Sequence, residues 1–340
     1  MQGTILVSTA GQGVLRSNDD GATWNRIPLD QGLEFDAVVR ALAVHPTKPE
    51  VIFAGADAGL GRSEDAGTRW TRVDSPFNDK QVWSIAIDPH DPNSMLVGTG
   101  APARAAVYRT EDGGITWEQS SPVLPERCAG VSKPRILTAV YDHVDGRSAW
   151  FGVEEGGLWQ TVNRGDTWDR IDDAELPNGV TVSDVHCIVV LDGPPKTIVC
   201  VVVNAIFVSQ DDGKTWTRTG TKQTWGIYYT RLVARLPESN ALLLGIGDGT
   251  PGTQTRIFRS DDLAKTWTEA KFDVPATSTV WAFGTHHSDP DLVFAGTKYG
   301  NLFRSIDGGH SFTKEWRDFP EITDVAWTPA VAAEAPTVHH

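Results

Sequence analysis

The sequence predicts an all-β fold, a seven-bladed β-propeller of four-stranded blades, and three observations carry that prediction. A nine-residue string first met as RSNDDGATW (16–24) recurs as RSEDAGTRW (62–70), RTEDGGITW (109–117), QTVNRGDTW (160–168), VSQDDGKTW (208–216), RSDDLAKTW (259–267) and RSIDGGHSF (304–312). Its closing aromatics, Trp24, Trp70, Trp117, Trp168, Trp216, Trp267 and Phe312, are 46, 47, 51, 48, 51 and 45 residues apart. Two short apolar runs precede each copy but the first, which has one, and no segment sustains a 3.6-residue period. Repeats of this length, each four strands long, stack radially and bury faces that no single unit could bury alone.

Each unit reads in the same order. An inner strand comes first: VRALAVHP, VWSIAIDP, RILTAVYD, VHCIVVLD, TRLVARLP, VWAFGTHH and, at the far end, ITDVAWTP. A second strand follows, as in VIFAGA or MLVGTG, and then a third ending in the repeated hairpin and an outer strand after the Trp. The chain opens on a second strand, ILVSTA (5–10), and closes on an inner one, so 322–329 is expected to pair beside it and shut the ring. That closure makes 1–330 one domain. The tail 331–340 carries no periodicity and is expected to be disordered, with His339 and His340 at its end.

The hairpin string reads as architecture, since a catalytic acid is not needed seven times. Asp can accept backbone N–H groups of its own turn, Gly supplies positive φ, and the Trp pins the hairpin by burying a large ring. The acids lack the spacing of a calcium loop. With Ser, Asp, Gly, Thr and Trp at these positions, the string resembles the Asp-box, or BNR, repeat over nearly the whole chain. That resemblance implies the propeller but no particular activity, because sialidases, xyloglucanases, sortilin-type receptors and the photosystem II assembly factor share the repeat. The NRIP at 25–28 follows a hairpin instead of opening the first blade, unlike the sialidase motif it resembles. Xyloglucanases of this type place two propellers around a cleft, and this sequence has one. The exported assembly factor is similar in size and blade count, which implies a protein-binding scaffold.

Composition narrows the partners. A formal charge of −14 over 340 residues opposes a phosphate backbone or an anionic membrane, so neither nucleic acid nor membrane is expected as partner. Three cysteines without CxxC argue against a disulfide framework and structural zinc. Cys187 and Cys200 sit in apolar runs and read as inert core thiols. No apolar stretch approaches a bilayer span and no export signal is visible, so the chain reads as cytoplasmic, with a trimmed signal as the alternative. No cofactor fingerprint is present, and neither cofactor nor metal is expected.

Propeller ligands usually meet the mouth of the central channel, where the inner strands begin. Aligned on the small residue of the following strand, the inner strands place Asp324, Arg40, Trp83, Leu137, His186, Arg231 and Trp281 in one ring. For any one residue, solvation of a strand end suffices as explanation; the set reads as a site. Arg40 and Arg231 would hold an anion, and Trp83 and Trp281 would stack a ring or sugar face. His186 and Asp324 would handle protons, Glu154 could pair with Asp324 as a second carboxylate, and Tyr229 and Lys298 would line the rim. The site then binds a small anionic or carbohydrate-like ligand, and as a hydrolase or lyase would cleave it. A non-catalytic scaffold for a protein partner and a non-catalytic glycan-binding module are the alternatives. His45, His90, His143, His286 and His287 follow the inner strands and belong to the opposite face, with the adjacent pair His286 and His287 expected to point apart.

Overall fold

The computed structural model describes residues 3–33, 37–171 and 183–330. Seven antiparallel sheets run in order around the ring, and one gains a fifth strand where Lys271–Phe272 pairs in parallel with Ser311–Asp318. The inner strands are Val39–Val44, Gln81–Ile87, Ile136–Tyr141, Val185–Leu191, Tyr229–Arg235, Val280–His286 and Ile322–Pro329. The last of these pairs with Gly3–Thr9 from Gly3↔Pro329 to Ser8↔Asp324, so the two ends of the described chain share one blade. That blade is numbered first here, and the others follow in chain order. The tail 331–340 and most of the segment 169–183 lie outside the described residues.

The core lies between blades. Leu6, Val14 and Ile27 of the first blade pack with Val39, Ile52 and Trp70 of the second. Trp150 and Leu158 of the fourth meet Val185, Ile198 and Phe207 of the fifth. Each fully buried Leu, Ile or Phe contributes roughly 1.5–3 kcal/mol relative to exposure, and because the faces are shared, that energy belongs to the ring.

The hairpin strings are turns held from within. In all seven, the hydroxyl of the second residue (Ser17, Ser63, Thr110, Thr161, Ser209, Ser260 or Ser305) accepts the N–H four residues on, at 2.8–3.1 Å. The Asp or Asn Oδ1 likewise accepts the N–H four residues beyond it, at 2.8–3.0 Å. Asp112 is held down to about 2 by the Thr116 hydroxyl and N–H. Every turn carries two consecutive residues at positive φ, such as Asp20 at 59° and Gly21 at 85°. The leading arginine has a further role, since its guanidinium reaches the next blade's turn. Arg16 donates to the Ala66 carbonyl at 2.8 Å, Arg109 to Arg164 at 2.9 Å and Arg304 to Asp20 at 2.8 Å.

Candidate functional site

Six inner strands carry a β-bulge at one equivalent position, and the bulged residues are Arg40, Trp83, Leu137, His186, Arg231 and Trp281. A bulge bends the strand and re-aims one side chain, which turns a row of strand ends into a ring of side chains at the channel mouth. The closing strand corrects the seventh member. Ser8 pairs with Asp324 and Thr9 with Ile322, so Thr323 is the bulged residue and Asp324 lies one position further down the channel. The second strand there has Ser8 where most others have glycine, and the alignment slipped by one for want of that anchor.

Around the mouth the ring residues contact one another. Arg40 pairs with Asp57 and lies 4.5 Å over the Trp83 ring. Arg135, over the same ring at 4.8 Å, is ion-paired to Glu154. Tyr229 lies 5.6 Å from His186 and stacks at 6.5 Å on Trp281. Arg231 at 4.3 Å and Lys298 at 4.2 Å both cover the Trp281 ring, and Lys298 pairs with Glu321. The two indoles assigned to ligand stacking are therefore covered by the protein's own cations. Arg231 differs from Arg40 and Arg135: among the described residues it forms no ion pair with a carboxylate, and its Nε is buried without a hydrogen-bond partner.

Of the three residues read as catalytic, Glu154 and His186 come together and Asp324 stands outside their group. His186 Nδ1 lies 2.7 Å from the Thr230 carbonyl oxygen, so Nδ1 donates and Nε2 keeps its lone pair. Desolvation, reinforced by Arg231, lowers His186 to about 4, too low for a base poised near neutrality. Asp324 accepts the Leu42 and Val325 N–H groups, each at 2.8 Å, and does not join Glu154 at the mouth. Protein surrounds it closely although part of its surface faces the lumen, and desolvation pushes its carboxyl up to about 7. Glu154 instead joins Asp184 and His186, with one ligating atom from each lying within 4.8 Å of the other two.

On the opposite face the channel widens into a cavity of about 1030 Å³, lined by His45, His143, Asp192, Arg235, His286 and Asp324 among others. The His286 and His287 rings do not point apart: their centroids are 4.2 Å from each other, because an irregularity between Gly284 and His286 breaks the strand alternation.

Residues 63–238, just over half of the chain, match the family described as photosynthesis system II assembly factor YCF48. The chain belongs to this family. It is also similar to the xyloglucanase Xgh74A of Acetivibrio thermocellus, at 26% identity over 88% of this chain and 40% of that protein. The chain thus spans well under half the length of that relative. Among solved structures, the GH74 enzyme of Niastella koreensis superposes with a TM-score of 0.64 at 20% identity, covering 81% of this chain and 45% of that one. A YCF48 bound to D1 peptide gives 0.54 at 16% identity, covering 82% of each. At such identities these two structures establish the fold alone.

In this YCF48-family chain the reading from sequence missed Arg135, Asp184, Asp57 and Glu321. Three of them had a legible signal: Arg135, Asp184 and Glu321 each stand two residues ahead of a ring position, where Tyr229 also stands. Asp57 sits in the turn joining second and third strands, where nothing in the sequence links it to Arg40. Among the described residues, no helix is long and apolar enough to cross a membrane.

Proposed function

We propose that this chain is a non-catalytic binding propeller that captures a carboxylate-bearing segment of a protein partner at the channel mouth, with Arg231 as the anion contact. The observation carrying this reading is the Arg231 guanidinium, without an ion pair among the described residues and half-buried over Trp281 with an unsatisfied Nε. A buried polar group left without a partner costs about 1–3 kcal/mol, more when charged, and an incoming carboxylate would repay it with a charge-assisted fork. Membership of the assembly-factor family and the likeness to a peptide-bound YCF48 favour a peptide as the carrier of that carboxylate. The lowered basicity of His186 and the absence of Asp324 from its group with Glu154 speak against hydrolysis.

The test captures a random hexapeptide library, with free or amidated C-termini, on immobilised wild-type chain and on Arg231→Ala. Enrichment of the free-carboxylate library on wild type alone is expected. Equal capture of both libraries, or capture indifferent to Arg231→Ala, refutes the reading, as would release of reducing ends from xyloglucan.

A second reading, a glycan-binding module, is favoured by Tyr228 and Tyr299, 42% and 58% exposed on loops of the mouth face, and by the xyloglucanase relatives. Exposed tyrosines offer faces for sugar stacking. Retardation in a xyloglucan gel that Tyr299→Ala abolishes would move the assignment to glycan.

A further inference from the structure

We infer that Glu154, Asp184 and His186 form a binding site for a first-row divalent cation, with zinc as the best-matched ion. The inference is independent of the peptide reading. It starts from an imbalance in hydrogen bonding. His186 Nε2 carries a lone pair because Nδ1 donates to the Thr230 carbonyl, and the carboxylate oxygens of Glu154 and Asp184 are acceptors as well. Three acceptors converge within 4.8 Å of one another. The nearest approach on Nε2 in this group, Asp184 Oδ2 at 3.8 Å, is too long for a hydrogen bond. His186 is only 6% exposed and Glu154 8%, so bulk water reaches the group through Asp184 alone, and Asp184 Oδ1 is itself buried without a partner.

The surroundings match what a metal site needs behind its ligands. A metal-bound imidazole usually donates its other N–H to a carbonyl or carboxylate, which fixes tautomer and ring, and the Thr230 carbonyl does that here. A ligating carboxylate is usually hydrogen-bonded on its far side, and Arg135 Nε does that for Glu154 Oε2. One nitrogen and two oxygens suit zinc, which takes such donors at about 2.0–2.2 Å. Ligand atoms at that length stand about 3.3–3.6 Å apart around a tetrahedral ion, so a pair at the 4.8 Å limit must close by about 1 Å. Three protein ligands leave a fourth tetrahedral position for a ligand atom.

Sequence spacing hid this site. His186 lies on the inner strand Val185–Leu191 and Asp184 just ahead of it, but Glu154 comes from the turn after Ala149–Val153 in the neighbouring blade. Glu155, at a φ of 56°, shapes that turn, and its carboxylate accepts the Gly130 N–H at 2.6 Å.

The test uses the full chain with His339→Ala and His340→Ala, which removes the terminal imidazoles as competitors. Calorimetric titration with Zn²⁺, and with Co²⁺ followed by its visible absorption, is expected to give one equivalent bound with a low-symmetry nitrogen–oxygen spectrum. Asp184→Asn and His186→Gln should each weaken uptake at least tenfold. Asp184→Asn alone decides if His186→Gln does not fold, since Asp184 is partly exposed and its amide is isosteric. Uptake of neither metal overturns the inference and leaves the trio sharing a proton. Uptake unchanged by Asp184→Asn also overturns it, and assigns the metal to another group such as His286 and His287.

Discussion

Asp324 should make stability fall as the pH rises, and Asp324→Asn should abolish that dependence. In the folded chain its carboxyl titrates at about 7 against an ordinary 3.8, because desolvation outweighs the two N–H groups it accepts. The folded state therefore binds more protons than the unfolded state between these values, so stability drops across that window and levels off above it. Linkage between the two values gives a loss of about 2–3 kcal/mol from pH 5 to pH 8. Burial works in the opposite sense on His186 and His286, both lowered to about 4 from 6.5, whose contributions to stability are lost as pH falls through that range. The measurement is therefore a difference: urea unfolding of wild type and Asp324→Asn at pH 5, 6, 7 and 8. The amide cannot accept from both Leu42 and Val325, so the variant should be less stable than wild type at pH 5, by about 1–3 kcal/mol for one lost partner. The gap should then narrow or reverse by pH 8. A gap that stays constant over the range means that Asp324 ionises normally and that the lumen solvates it.

Two further changes probe the scaffold. Ala264 stands at φ 65° where the other hairpin strings have glycine, so Ala264→Gly should raise stability by about 0.5–1 kcal/mol, read as a higher urea midpoint; an unchanged or lower midpoint removes strain from the account. Arg304→Ala should cost about 1–3 kcal/mol in urea unfolding, because Arg304 ties the seventh blade to Asp20 of the first and neutralises Glu315, whose side chain is 13% exposed; a loss of less than about 0.5 kcal/mol, the scatter of surface substitutions, would show that the clamp contributes nothing.

The sequence made the ring legible because each blade repeats the same local rules: an apolar run, a small residue, a turn that only Gly, Asp or Asn accepts readily, and an aromatic to pin it. Even the mouth was legible to within one residue, since a bulge repeated in register leaves its mark as Arg, Trp or His at the head of an otherwise apolar strand. What stayed hidden was pairing. Nothing local says that Arg40 will be taken by Asp57 and Arg135 by Glu154 while Arg231 is left over, because those outcomes depend on loops from different blades meeting across the ring. Asp324 was misplaced for a related reason: register in the closing blade is set by strands more than three hundred residues apart in sequence.

The blades that carry the candidate site are also the ones least tied at their rim. Arginine clamps join the first blade to the second, the second to the third and the third to the fourth, and they resume from the sixth to the seventh and from the seventh to the first. At the start of the fourth and fifth hairpin strings the arginine is replaced by Gln160 and Val208, so the two interfaces between the fourth and sixth blades lack the clamp. Those interfaces flank the strand bearing Asp184 and His186, with Glu154 on one side and Arg231 on the other. Apolar packing, through Trp150 with Phe207 on one and Val199 with Leu244 on the other, takes the place of the clamp at the rim, while Lys196 pairs with Asp142 across the first interface and Arg235 with Asp192 across the second. Apolar contacts are non-directional and tolerate small shifts better than a guanidinium bonded to a fixed carbonyl. A site whose ligands come from neighbouring blades, and whose widest pair must close by about 1 Å to hold a tetrahedral ion, is thus built where the outer rim lacks its arginine clamp, while the bond from His186 to Thr230 holds the imidazole in place.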